Sequence, residues 1–236
     1  MSASLRGGHD FDALAFARGL MDIESTTGKE AACGQKLAAD LRALGWNVRE
    51  QPVKDGRCNL LATVGEPRVT FSTHFDCVPP FFPSRVEGDR LIGRGACDAK
   101  GILAAQVAAA ERLRAHGETR VGLLFVVGEE RGSDGAKLAN TLPNSSKFLI
   151  NGEPTDLRLG TATRGGIRFR LHADGRAAHS GYPELGVSAT EKLLDGLEVL
   201  RRAEWPDDAV LGRTHFNIGL LSGGVAPNVI PPHASA

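Results

Sequence analysis

Three short apolar runs, Val69–Thr73, Val121–Val127 and Phe148–Ile150, each pass almost directly into histidine or carboxylate residues. Runs of this length, rich in β-branched and aromatic residues, suit buried strands. Between the first two lies an alanine-rich stretch, Ala99 to His116, that reads as a helix with Ile102, Leu103, Val107 and Leu113 in reach of a core. Strands alternating with helices predict an α/β fold built on a mainly parallel sheet flanked by helices. Open sheets of that kind gather ligands beyond the carboxyl ends of their strands. The residues that follow the runs, His74 and Asp76, then Glu129 and Glu130, then Glu153, are therefore expected at one edge.

In V-T-F-S-T-H-F-D the period of two puts His74 and Asp76 on one face of an extended chain. A histidine that binds metal usually donates its second ring nitrogen to an acceptor, and Asp76 is placed to be one. Around Asp98, Gly93, Gly95 and Gly101 allow turns that make room for an ion. Adjacent glutamates after a buried strand are costly unless a cation neutralises them or one holds a proton. One imidazole with several carboxylates is a donor set for zinc and its neighbours. Blander readings exist for each: an unpartnered strand-end histidine, Asp98 as a helix N-cap, and a glutamate pair turned to water.

Helices are further expected over about Asp10 to Met21 and Lys29 to Leu44, the second burying Ala32, Leu37, Leu41 and Leu44 and stopping at Gly45. Strands are expected at Trp46–Val53 and Asn59–Val64. From Thr163 the pattern changes to an alternating strand over Gly166–Ala173, a helix over Val187–Arg202 and a strand near Thr214–Leu221, the makings of a small two-layer domain. The chain thus divides into residues 1–162 and 163–236. The loop from Pro79 to Asp89 carries Phe81 and Phe82 beside the candidate site, where aromatics either shape an apolar substrate pocket or pack the loop onto the core.

With 236 residues the chain exceeds the usual size of one domain. Lysine plus arginine and aspartate plus glutamate both total 28, which gives no electrostatic case for nucleic acid or an anionic membrane surface. The apolar runs fall short of the roughly 20 residues that span a membrane, and M-S-A-S-L-R-G-G-H-D lacks a signal core, so a cytoplasmic protein is expected. Cys33, Cys58, Cys77 and Cys97 lack C-x-x-C spacing, which argues against a zinc ribbon or a thioredoxin-like motif.

Six segments in order, T-H-F-D-C-V-P-P, G-R-G-A-C-D-A-K-G, G-E-E-R-G-S-D-G, N-G-E-P-T, R-A-A-H-S-G-Y-P and A-P-N-V-I-P-P, carry a resemblance over nearly the whole chain. The chain resembles the dinuclear zinc aminoacylase and carboxypeptidase family, which includes acetylornithine deacetylase, succinyl-diaminopimelate desuccinylase and glutamate carboxypeptidases. The resemblance implies a zinc-exopeptidase-like catalytic domain and part of a smaller, ferredoxin-like α+β lid and dimerisation domain. It implies two zinc ions, with cobalt or manganese as alternatives: His74 and Glu153 on one, Asp98 bridging, and Glu130 on the second. Glu129 would be the general base, Asp76 would orient His74, and the Asp98–Ala99 peptide bond would be cis. His179 and Asn228 of the smaller domain would reach the substrate, an N-acyl amino acid or short peptide with a free carboxylate. A homodimer through the smaller domain is expected. A further histidine ligand that the family carries nearer its C-terminus has no match up to Ala236, so the second ion is expected to bind weakly. A chain that binds metal without activity is the alternative expectation.

Overall fold

The computed structural model describes residues 10–143 and 145–236, so the reading of residues 1–9 as lacking a signal core lies outside the described residues. Backbone contacts divide the chain into two compact units between Arg158 and Leu159.

The first unit opens with two helices, α1 (Ala13–Met21) and α2 (Ala31–Ala43). Asp12 caps α1 by accepting from the Ala15 N–H at 2.9 Å. At the end of α2, Gly45 takes φ +88°, Trp46 N–H bonds the Leu41 carbonyl at 3.0 Å and Gly45 N–H bonds that of Arg42 at 2.9 Å. This paired closure is the Schellman motif that a glycine just past a helix permits. Leu37, Leu41 and Leu44 are buried as expected, but Ala32 is exposed and Cys33 takes the inward position.

Strands β1 (Asn47–Lys54) and β2 (Arg57–Thr63) follow, then β3 (Val69–His74) and a small hairpin of β4 (Arg85–Glu87) and β5 (Arg90–Ile92). Helix α3 (Lys100–Ala115), strand β6 (Val121–Val126), helix α4 (Asp134–Ala139) and strand β7 (Phe148–Asn151) complete the unit. The sheet order is β1-β2-β6-β3-β7. β6 and β7 run parallel to β3 on either side of it, whereas β1 pairs antiparallel with β2 and β2 antiparallel with β6. The class is α/β as expected, with a mixed rather than mainly parallel sheet. The cause is Asp55-Gly56: both residues have positive φ, 53° and 73°, and a two-residue turn of that kind joins β1 to β2 as a hairpin, which can only be antiparallel.

The main core lies among α1, α2, α3 and one face of the sheet, with Leu20, Leu37, Leu41, Leu103, Leu123 and Phe125 fully buried. In α3 the inward side runs through Leu103, Val107 and Ala110, while Leu113, expected to face the core, is exposed.

In the second unit, β8 (His172–Asp174), α5 (Ala189–Arg202), β9 (Asp207–Asp208), β10 (Gly212–Arg213), β11 (Ser222–Gly223) and β12 (His233–Ser235) occur in that order. Ser188 caps α5, whose Ala189, Leu193 and Leu197 recur every fourth residue and pack on Ala234 of a three-stranded sheet ordered β11-β12-β8. The expected strand over Gly166–Ala173 is realised only at its end. Its ladder reaches Leu171, which exchanges two backbone bonds with Ala236, and no described strand lies alongside 162–170. Without a partner the alternating pattern buries nothing, and Ile167 and Phe169 stay exposed. The stretch from Thr214 to Leu221 likewise lacks strand structure, which appears only at Gly212–Arg213 and Ser222–Gly223.

No described helix is long and apolar enough to cross a membrane.

Candidate metal centre

Because β3, β6 and β7 are parallel, the loops after His74, Val126 and Asn151 leave the sheet at one edge. His74 ends β3 with only 1% of its side chain exposed. Its Nε2 lies 3.0 Å from Asp98 Oδ1 and 3.9 Å from Glu153 Oε2. One ligand atom each from His74, Asp98 and Glu130 lie within 4.8 Å of one another. The four residues expected to hold metal are thus neighbours around the imidazole, with Glu129 next in the chain to Glu130.

Asp98 reaches this place from the loop before α3. That helix is capped by Ala99 without a side-chain bond, so Asp98 faces the cluster and does not cap the helix. The Asp98–Ala99 peptide bond is cis. Gly95 turns the loop at φ +89°, and a Cβ there would meet Cys77 Sγ at 2.9 Å, so only glycine fits. Lys100, 1% exposed, donates from Nζ to the carbonyls of Leu20 at 2.9 Å and Ile23 at 3.1 Å. A cation on carbonyls at and just past the end of α1 suits the helix dipole and ties the loop to the core.

The loop after β6 is held by two buried carboxylates. Three consecutive N–H groups donate to them: Gly128 to Glu30 Oε1 at 3.1 Å, Glu129 to Asp76 Oδ1 at 2.9 Å and Glu130 to Asp76 Oδ2 at 3.1 Å. Thr27 adds a hydroxyl donor to Asp76 Oδ2 at 2.8 Å. His74 Nδ1 lies 3.0 Å from the Asp76 backbone carbonyl and 3.4 Å from its carboxylate, so the closer acceptor is the main chain. The strand period pairs Asp76 with the His74 ring; the structure adds its grip on the Glu129–Glu130 loop.

Glu30, fully buried, was not singled out from the sequence. It also accepts from Gly28 N–H at 2.6 Å and from Arg57 Nη1 at 3.2 Å. Nothing local marks it, since an acid near a helix start reads as an ordinary surface residue. The one available signal was Arg57 heading the apolar strand R-C-N-L-L-A, where a buried cation needs a buried acid.

Burial presses the His74 pKa down, but the hydrogen bond and charge of Asp76, then Glu153 and Asp98, outweigh it and raise it to about 9. For Glu130, burial and then the charge of Asp98 raise the carboxyl above its ordinary value. Glu153 is raised too, by burial first and also by Glu129 and Asp98, although His74 and Asn151 oppose the shift. Asp76 goes the other way: burial pushes it up, but hydrogen bonds from His74, Thr27 and Glu129 bring it below the usual carboxylate range. The upward shifts of Glu130 and Glu153, beside an imidazole whose pKa is also raised, describe a site crowded with negative charge. The donor set of one nitrogen and several oxygens fits a divalent cation.

His74 with a raised pKa stabilises the metal-free fold fully below about pH 6.5, and that contribution is lost as pH rises through about 9. A cation needs the neutral ring, so metal uptake at pH 7.5 is expected to release about one proton from His74, and the count should fall toward zero above pH 9. Calorimetric titration with zinc in buffers of different ionisation heat measures this. Uptake without proton release at pH 7.5 would contradict a His74 ring that is protonated in the metal-free chain and a ligand in the metal-bound one.

The remaining candidates, His179 and Asn228, are exposed residues of the second unit. They lie near each other there: Ser180 N–H bonds the Asn228 carbonyl at 3.0 Å, and His179 forms a backbone bridge with Val229. Cys77 is buried with Sγ 3.9 Å from the Asp98 carbonyl, and Cys97 is exposed.

Residues 161–236 match the family described as the peptidase dimerisation domain. A peptidase M20 domain-containing protein of Schizosaccharomyces pombe is 39% identical over 233 residues, covering 94% of this chain and 58% of that protein. A probable carboxypeptidase of Aspergillus terreus is 42% identical over 253 residues, with the same two shares. Among solved structures, a tripeptidase from Staphylococcus aureus aligns with TM-score 0.71 and 24% identity over 94% of this chain and 64% of its own. An M20 family metallo-carboxypeptidase from Sulfolobus solfataricus aligns with TM-score 0.65 and 16% identity over 95% and 69%. At such identities the two structures speak for the fold alone. The chain spans 58% of the length of both curated relatives.

Proposed function

The chain belongs to the M20 peptidase family, and on that footing we propose that it forms the metal-holding part of a hydrolase that cleaves amide bonds in N-acyl amino acids or short peptides. The observation that carries the reading is the convergence of His74, Asp98 and Glu130 within 4.8 Å, with Glu153 3.9 Å from the same imidazole nitrogen.

In this reading His74, Asp98 and Glu153 would hold one zinc ion, and Asp98 with Glu130 would hold a second, weaker one. Bound cations of this kind acidify a water molecule and polarise the scissile carbonyl. Asp76, with Thr27, keeps His74 and the Glu129–Glu130 loop in register. Glu129 takes a proton from the attacking water and returns it to the leaving amine. His179 and Asn228 bind the substrate carboxylate or steady the oxyanion. The proposal includes a homodimer through the second unit, which the match to a dimerisation domain supports, and a cytoplasmic location.

Hydrolysis of N-acetyl and N-succinyl amino acids and of short peptides, with zinc added, tests the activity. Glu129→Gln is expected to lower kcat by roughly 100-fold to 10,000-fold while metal affinity holds. If the unaltered chain binds zinc yet is as silent as the variant, it is a metal-binding chain without activity.

A further inference from the structure

A cavity of about 490 Å³ opens in the first unit beside the candidate metal cluster and shares Glu130 with it. One wall is a continuous apolar stretch, Val78, Pro79, Pro80 and Phe81, bent at the cis Pro79–Pro80 bond. The two aromatics of this loop have different surroundings: the Phe82 ring lies 5.0 Å beneath the Arg94 guanidinium, whereas Phe81 lines the cavity.

The rest of the lining is polar by composition, and four of its residues, Glu24, Thr26, Thr27 and Lys29, are already partnered. Thr27 donates its hydroxyl to Asp76, and the Glu24 carboxylate accepts from Lys29 at 2.8 Å and from Thr26 at 3.0 Å. A ligand entering here meets the apolar carbon of residues 78–81 and polar groups most of which are already engaged, so apolar area is what it gains by burying. Arg131, exposed at the rim, is screened by water and adds little to the binding of an anion.

We propose that this cavity is the acyl-group subsite and selects amides whose acyl side is aliphatic or aromatic over acetyl or a charged diacid. The inference rests on the hydrolase reading, in which the leaving amino acid is recognised through its carboxylate by His179 and Asn228. The wall of residues 78–81, next to Glu130, is then left for the group on the other side of the scissile bond.

The test measures how carboxylic acids, the acyl products, bind to the zinc-loaded chain by calorimetry. From acetate to butanoate to hexanoate, affinity is expected to climb roughly fourfold per methylene, with succinate no better than acetate. In Phe81→Ala the hexanoate-to-acetate ratio is expected to fall at least fivefold. Val78→Ser, on the same wall, should lower it in the same direction and serves if Phe81→Ala does not fold. Acetate binding with no gain along the series, a ratio unchanged in both variants, or succinate binding more tightly than hexanoate would each overturn the subsite and leave the hydrolase reading standing. Failure of the chain to bind zinc would remove both.

Discussion

Replacing Glu30 by alanine is expected to cost about 3–5 kcal/mol of stability, the cost of breaking a buried ion pair from one side. Glu30 is fully buried and Arg57 is 6% exposed, with 3.2 Å between Oε1 and Nη1. Removing the acid leaves the guanidinium inside with Asp134 at 4.0 Å as its remaining carboxylate, and Arg57 Nε already lacks a partner among the described residues. It also orphans the N–H groups of Gly28 and Gly128, each of which adds a desolvation cost. Urea unfolding of the metal-free chain measures the loss. The double variant Glu30→Ala with Arg57→Leu should recover much of it, since an apolar pair replaces a buried charge pair at little cost. A single variant within 1 kcal/mol of the parent would show that Glu30 does not clamp the loop.

Asp98→Ala is expected to do the opposite: to spare the fold and weaken metal binding by roughly a hundredfold or more. Changes to groups that merely orient ligands already cost about 10-fold to 100-fold in affinity, and Asp98 is the carboxylate nearest His74 Nε2, at 3.0 Å. Its side chain is 46% exposed and its charge raises the pKa values of both Glu130 and Glu153. Taking that charge away relieves Glu130 and Glu153 but costs His74 a partner, and with these effects opposed the unfolding free energy should change by less than about 1 kcal/mol. Competition with a chromophoric chelator reads the affinity, and Glu118→Ala, which alters an acid bonded to its own near neighbour Arg120, should bind zinc as the parent does. Equal affinities for Asp98→Ala and the parent would remove Asp98 from the ligand set.

The contrast between these two residues also marks what local pattern can reveal. His74, Asp98, Glu130 and Glu153 stand out because each follows an apolar strand or a glycine-rich turn, and strand ends in a parallel arrangement have to meet at one edge. Gly45 is legible for a similar reason, since the turn that closes a helix needs a positive φ. Glu30 is not, because its meaning comes from Arg57, 27 residues on, and Gly128, 98 residues on. The antiparallel half of the sheet was readable in Asp55-Gly56 but masked by the stronger βα alternation around it. At Gly166–Ala173 the reverse holds: the alternation I-R-F-R-L-H-A is a sound strand pattern, yet a strand exists only where another lies beside it, and Ile167 and Phe169 have no such neighbour among the described residues.

Zinc-edge anomalous diffraction from crystals of the full chain grown with zinc tests the convergence most directly. The strongest peak should lie about 2.0–2.2 Å from His74 Nε2 and from carboxylate oxygens of Asp98 and Glu153, with a weaker peak between Asp98 and Glu130. Zinc found only elsewhere, with His74 Nε2 still bonded straight to Asp98, would contradict it.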